Sequence, residues 1–153
     1  MPMPDMLVPL YRLPRMPDLA PDIKIRPALP FESHVLLAFV GQHFSSKWVD
    51  ECTVALAARP SRVLIATEGS RLLGFACFDV TCRGFFGPTG VDPEARGKGL
   101  GKALLLAALH RLRDEGFAYG IIGQAGPVAF YEQACGAVVI PNSDDGVFDN
   151  ALV

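Results

Sequence analysis

The segment Arg96-Gly97-Lys98-Gly99-Leu100-Gly101, followed by Lys102, combines three glycines with three cations. An apolar run ends before it at Val91, a turn sits at Asp92-Pro93, and a helix is expected from Gly97 to Glu115. The first turn of a helix has free backbone N–H groups and the positive end of the dipole, so it attracts an anion. Glycine has no Cβ to hold a phosphate away from the backbone. Arg96, Gly97, Lys98, Gly99, Leu100, Gly101 and Lys102 therefore make a candidate site for a phosphorylated ligand. A Walker A loop requires G-x-x-x-x-G-K and then Ser or Thr; here Ala103 follows Lys102 and Arg96 takes the place of the first glycine, so no hydroxyl is set for Mg²⁺. A dinucleotide fingerprint requires G-x-G-x-x-G straight after a strand, and this run is G-x-G-x-G headed by arginine.

The pattern that does fit is R-x-x-G-x-G, on Arg96, Gly99 and Gly101. It resembles the loop of the GNAT superfamily, the Gcn5-related N-acetyltransferases, which holds the pyrophosphate of acetyl-CoA at a helix N-terminus. A second run, Phe130-Tyr131-Glu132-Gln133-Ala134-Cys135-Gly136-Ala137, resembles that family's YE-K-x-G-F/A segment. The resemblance implies acetyl-CoA as cosubstrate and Tyr131 as the general acid facing the thioester sulfur. Read alone, Tyr131 is equally an amphipathic tyrosine with a packed ring and a wet hydroxyl.

The elements that must position these residues follow in an agreeing order. Ile23-Arg26 reads as a short strand; Phe31-Val40 and Lys47-Ala58 read as helices, with Ser46 a candidate cap for the second. Val63-Thr67 and Leu72-Val80 read as a hairpin around Glu68-Gly69-Ser70-Arg71. Arg83-Val91 is a further strand. The helix after it carries apolar residues at 100, 104, 105, 108, 109 and 112, with Gly116 placed to cap its C-terminus. Tyr119-Gly123 reads as a strand, Pro127-Ala134 as a helix, and Ala137-Ile140 as a strand that pairs with a last one at Val147-Val153. The expected class is α/β (α+β): a GNAT fold, with a mixed central sheet of six to seven strands, about four flanking helices, and a splay between the family's fourth and fifth strands.

Pro88 interrupts Arg83-Val91, and proline cannot donate to a ladder, so a bulge is expected there. The resemblance places this bulge at the splay into which the acyl-pantetheine arm inserts like an added strand. Gly90 and Val91 then become candidate cofactor contacts, with the Val91 N–H a donor to the thioester carbonyl. Gln124 stands where the family often has an asparagine that touches the cofactor arm. Many relatives carry a glutamate base on the fourth strand, whereas residues 83–91 contain no carboxylate. Asp79, Glu32, Glu51 and Asp50 are alternatives that no motif fixes. The resemblance assigns the acceptor site to residues 29–59, rich in Phe31, Phe39, His43, Phe44 and Trp48, and to the turn 141–146, where Asp144 and Asp145 can attract a cation.

The 153 residues suit one domain with a substantial core, and half of them are hydrophobic. Residues 1–22 hold six prolines and read as an N-terminal arm; 23–153 reads as a single acetyltransferase domain. The arm lacks a continuous apolar h-region and a cleavage site. A net charge of −2 argues against nucleic acid as a partner, and no apolar run is long enough to span a membrane. Four cysteines without C-x-x-C spacing suit buried thiols in a reducing cytoplasm, and the three histidines are too scattered for a metal site. The expected activity is direct acetyl transfer from acetyl-CoA to a primary amine of a small molecule: an amine, amino sugar or amino acid. A homodimer and a protein amine as acceptor stay open, as does a GNAT-fold module that binds acetyl-CoA without turnover.

Overall fold

The computed structural model describes residues 3–152; Pro2 of the arm and Val153 of the expected last strand lie outside them. Seven strands are named in chain order: β1 Met6–Pro9, β2 Ile23–Pro27, β3 Val63–Glu68, β4 Arg71–Phe78, β5 Phe85–Val91, β6 Tyr119–Ile122 and β7 Val138–Val139. The four α-helices are α1 Ser33–His43, α2 Ser46–Ala57, α3 Leu100–Asp114 and α4 Val128–Cys135. The sheet order is β2-β3-β4-β5-β6-β1-β7. Its hydrogen-bonded pairs are antiparallel except β5 with β6, which run parallel.

Side chains alternate across a strand, so the sheet feeds two apolar layers. One joins Leu64, Ala66, Leu73 and Ala76 to the buried leucines of α3 and to Tyr131 and Ala134 of α4. The other joins Val63, Ile65, Phe75 and Cys77 to Leu36, Phe39 and Val40 of α1 and to Cys52 and Ala55 of α2. Helix α3 starts at Leu100 rather than Gly97 because Gly97 and Gly99 have φ of +84° and +77°, outside the right-handed helical region. The cap of α2 is Ser45, whose hydroxyl accepts the Trp48 N–H at 3.3 Å, and Ser46 is the first helical residue.

Among the described residues the expected last strand is absent. Residues 146–148 form a 3₁₀ turn, and β7 pairs instead with β1, Met6 opposite Val139 and Leu7 opposite Val138. The N-terminal segment thus lies between β6 and β7, with Met6, Val8 and Leu10 fully buried. Asp5 fastens it. Its carboxylate accepts the Gln124 N–H at 3.0 Å, its N–H donates to Ser143 Oγ at 2.9 Å, and its carbonyl accepts from Ile140 N–H at 2.9 Å. Since β1 belongs to the core, Met6→Ala should lower unfolding free energy by about 2–5 kcal/mol in chemical denaturation. Tyr11→Ala, at an exposed position, should change it far less.

Candidate active site

Strand β5 carries the geometry of the site. Opposite it on β4, Ala76 pairs with Thr89 and Phe78 with Phe86, so Gly87 and Pro88 together face the single residue Cys77. Two residues against one is a β-bulge, the arrangement in which a strand accommodates proline. On its other edge β5 pairs with β6 only through Phe85–Ile121 and Phe86–Ile122. From Gly87 onward the two strands part.

The register shows which backbone groups face the gap. Asp92 N–H donates to Leu73 C=O at 2.7 Å across the Gly74–Val91 pair, which makes that pair a non-hydrogen-bonded one. Val91 therefore turns its own N–H and C=O away from β4. Alternation gives the same orientation to Thr89, while Gly90 pairs with Phe75. The Val91 N–H consequently points into the gap, where a donor can stabilise an oxyanion. Gly90 has a different local role: a Cβ there would lie 2.3 Å from the Phe44 ring, so its missing side chain admits that ring against the sheet. Phe44 packs in turn on Trp48, with centroids 5.2 Å apart, and on Phe75 at 5.8 Å.

Beyond β5, Pro93–Ala95 forms a 3₁₀ turn capped by Asp92, whose carboxylate accepts Glu94 N–H at 2.9 Å. That bond first, and then Arg71, hold the Asp92 carboxyl below its usual range. Arg96, Lys98 and Lys102 are exposed and take part in no ion pair among the described residues. At Gly97, Gly99 and Gly101 an added Cβ would meet nothing within 4 Å. The positive φ explains glycine at 97 and 99, but Gly101 is helical with open space beside it. Nothing within the chain requires glycine at 101, where alanine would favour the helix more. A ligand approaching the backbone does require it, and the residues present suit a pyrophosphate.

Tyr131 lies in the α3 layer, its ring edge-on to Phe86 at 6.4 Å and to Phe130 at 5.1 Å. Phe86 belongs to the last β5–β6 pair, so Tyr131 stands where the strands part. Its ring is buried, yet its hydroxyl has no protein hydrogen-bond partner and is not sealed off among the described residues. Burial first, and the Cys135 thiol second, push that hydroxyl above tyrosine's ordinary value. It is protonated at neutral pH and equipped to donate.

On the opposite face, a cavity of about 190 Å³ opens at the splay against Phe85, Phe86, Gly87 and Pro88. Gln124, with a positive φ of +48°, lines it, and so do Lys47, Trp48 and Glu51 of α2, Thr81 and Phe148. Of the four carboxylates without a motif, Glu51 faces this cavity and accepts a hydrogen bond from the Thr81 hydroxyl. Asp79 instead ties the β4–β5 turn, accepting Gly84 N–H at 2.6 Å and pairing with Arg83 and Arg62. Glu32 pairs with Arg26 at 2.7 Å, chiefly for which reason its pKa falls to about 2, and Asp50 is exposed. In the tail it is Phe148 that lines the cavity; Asp144 and Asp145 are exposed. Lys47 and Thr81 escaped sequence reasoning; the i, i+4 spacing of Lys47 and Glu51 was the available signal for the first.

A comparison with curated protein sequences finds no match. Among solved structures, a GCN5-related N-acetyltransferase from Sphaerobacter thermophilus aligns with a TM-score of 0.72 at 21% identity, covering 92% of this chain and 50% of that one. The glucosamine N-acetyltransferase region of a fungal multi-domain β-N-acetylglucosaminidase aligns at 0.75 and 16% identity, covering 90% of this chain and 20% of the other. A GNAT family acetyltransferase from Brucella melitensis, solved with acetyl-CoA, aligns at 0.54 and 24% identity, covering 72% and 80%. The chain thus spans about half the length of the Sphaerobacter protein and a fifth of the fungal one. The family model described as the acetyltransferase (GNAT) family matches residues 31–137, and with the splayed sheet and the glycine-rich helix start in place, the chain belongs to that family.

Proposed function

We propose that this chain transfers an acetyl group from acetyl-CoA to a primary amine of a small molecule by direct attack. The observation that carries this reading is the convergence of two faces on the point where β5 leaves β6. Tyr131 stands on one face and the Glu51 cavity opens on the other. Arg96, Gly97, Lys98, Gly99, Leu100, Gly101 and Lys102 would hold the pyrophosphate, and the backbone of Val91, beside Gly90, would meet the acyl arm in the gap. Gln124 would border the arm from the β6 side. The bound cosubstrate supplies an activated acyl carbon and a thiolate leaving group.

The remaining work falls to this chain. Val91 N–H would stabilise the charge on the carbonyl oxygen, worth on the order of 3 kcal/mol. Tyr131 would protonate the departing sulfur as the acylated nitrogen gives its own proton to the phenol oxygen; the coupling is needed because a phenol, near 10, is a weaker acid than a thiol of ordinary pKa, about 8.5. The acceptor would enter through the cavity, whose volume of about 190 Å³ suits a compact molecule; drug-sized sites run to ~300–1,000 Å³. The N-terminal arm completes the sheet of this one catalytic unit. No helix among the described residues is long and apolar enough to cross a membrane, and the four cysteines are free, which suits a reducing cytoplasm.

A second reading, acetyl-CoA binding without turnover, draws on the absence of a carboxylate from β5. Thiol release across a panel of amines separates the two: release above the amine-free rate supports transfer, and its absence with intact acetyl-CoA binding supports the sensor. Gly101→Ala should leave thermal stability equal or higher yet weaken acetyl-CoA binding in calorimetry by tenfold or more. Tyr131→Phe should lower turnover about 10²-fold, the scale of a lost general acid, while acetyl-CoA affinity holds. Because burial raises the Tyr131 pKa, its protonated form persists with rising pH, and the alkaline loss of activity it governs should lie above pH 10.

A further inference from the structure

Lys47 and Glu51 sit one helical turn apart on α2, the spacing at which opposite charges commonly pair. Here they do not: neither belongs to an ion pair among the described residues. The Lys47 ammonium lies 5.9 Å from the centre of the Phe148 ring, and the Glu51 carboxylate is held by Thr81. Both line the cavity, so it presents a separate cation and anion with aromatic walls from Trp48, Phe85 and Phe148. A plain alkylamine would match only the anion. An amino sugar without an acidic group would likewise leave the cation without a counterpart.

We propose that the acceptor is an aminocarboxylate of free amino acid size, its carboxylate bound by Lys47 and its ammonium by Glu51, with Glu51 the catalytic base. This rests on the acetyltransferase reading above. The ammonium gives its proton to Glu51, which passes it to water. The neutral nitrogen forms the C–N bond to the acetyl carbon as the C–S bond breaks. Tyr131 protonates the leaving sulfur and recovers the second proton that nitrogen sheds. The sum is an N-acetylamino acid, CoA thiol and one released proton. Thr81, itself in the lining, donates to the Glu51 carboxylate.

The test compares free amino acids with their carboxamides and with the corresponding decarboxylated amines, by thiol release. The amino acids should show kcat/KM at least tenfold higher. Lys47→Glu, an exposed substitution, should abolish that preference by raising KM for amino acids at least tenfold. Glu51→Gln should lower kcat on all acceptors at neutral pH, with activity recovering as pH rises and the amine deprotonates by itself. Equal use of amino acids and decarboxylated amines, or an undiminished preference in Lys47→Glu, overturns the inference and leaves acetyl transfer standing. Calorimetry of the CoA-loaded protein with the same amino acids needs no turnover. Binding that Lys47→Glu abolishes supports the inference even if transfer fails, and no amino acid binding overturns it.

Discussion

Everything in this site depends on one interruption of backbone pairing. Strand β5 is tied to β6 for two residues and then released at Gly87-Pro88. Proline removes a donor, the bulge turns the strand, and the groups of Thr89 and Val91 that a neighbouring strand would have consumed are left facing a gap. Backbone polar groups released from a ladder need another partner, from solvent or from a ligand. An extended chain with amide groups is the kind of ligand that could pair with a strand edge left open in this way.

The two layers around the sheet divide the chemistry. The α3 layer provides a glycine-flanked helix start suited to an anion and the tyrosine whose burial preserves its proton. The α1–α2 layer provides the cavity, and here aromatic packing sets the shape: Gly90 admits Phe44, Phe44 carries Trp48, and Trp48 forms a wall beside Lys47 and Glu51. Other charges of the chain pair among themselves. Arg71 holds Asp92, Arg62 and Arg83 hold Asp79, and Arg26 holds Glu32. The cations of the loop and the Lys47–Glu51 couple belong to no ion pair among the described residues.

Sequence reading succeeded wherever the physics is local. Glycine at 97 and 99, the 3.6-residue apolar period of α3 and the incompatibility of Pro88 with a regular ladder all act within a few residues. They led to the glycine turn before α3, the long buried helix and the bulge. It failed at the N-terminus and the tail. The four residues Met6–Pro9 are too few and too close to proline to signal a strand, and their partners lie more than a hundred residues away. Val147-Val153 has strand-like residues, yet residues 146–148 turn in a 3₁₀ conformation and β7 stays the edge of the sheet, paired with β1.

The amino-acid sequence by itself determined the family, the long apolar helix with cations before and in its first turn, and the position of the bulge, because each is written in adjacent residues or a fixed spacing. Tertiary structure alone decided which carboxylate faces the cavity at the splay. Asp79, Glu32, Asp50 and Glu51 are equivalent in one dimension. Only folding pairs the first two with arginines, leaves the third in solvent, and brings Glu51 against Thr81, thirty residues on in the chain. A carboxylate's role is set by what surrounds it in space, and those surroundings are non-local contacts that no spacing encodes.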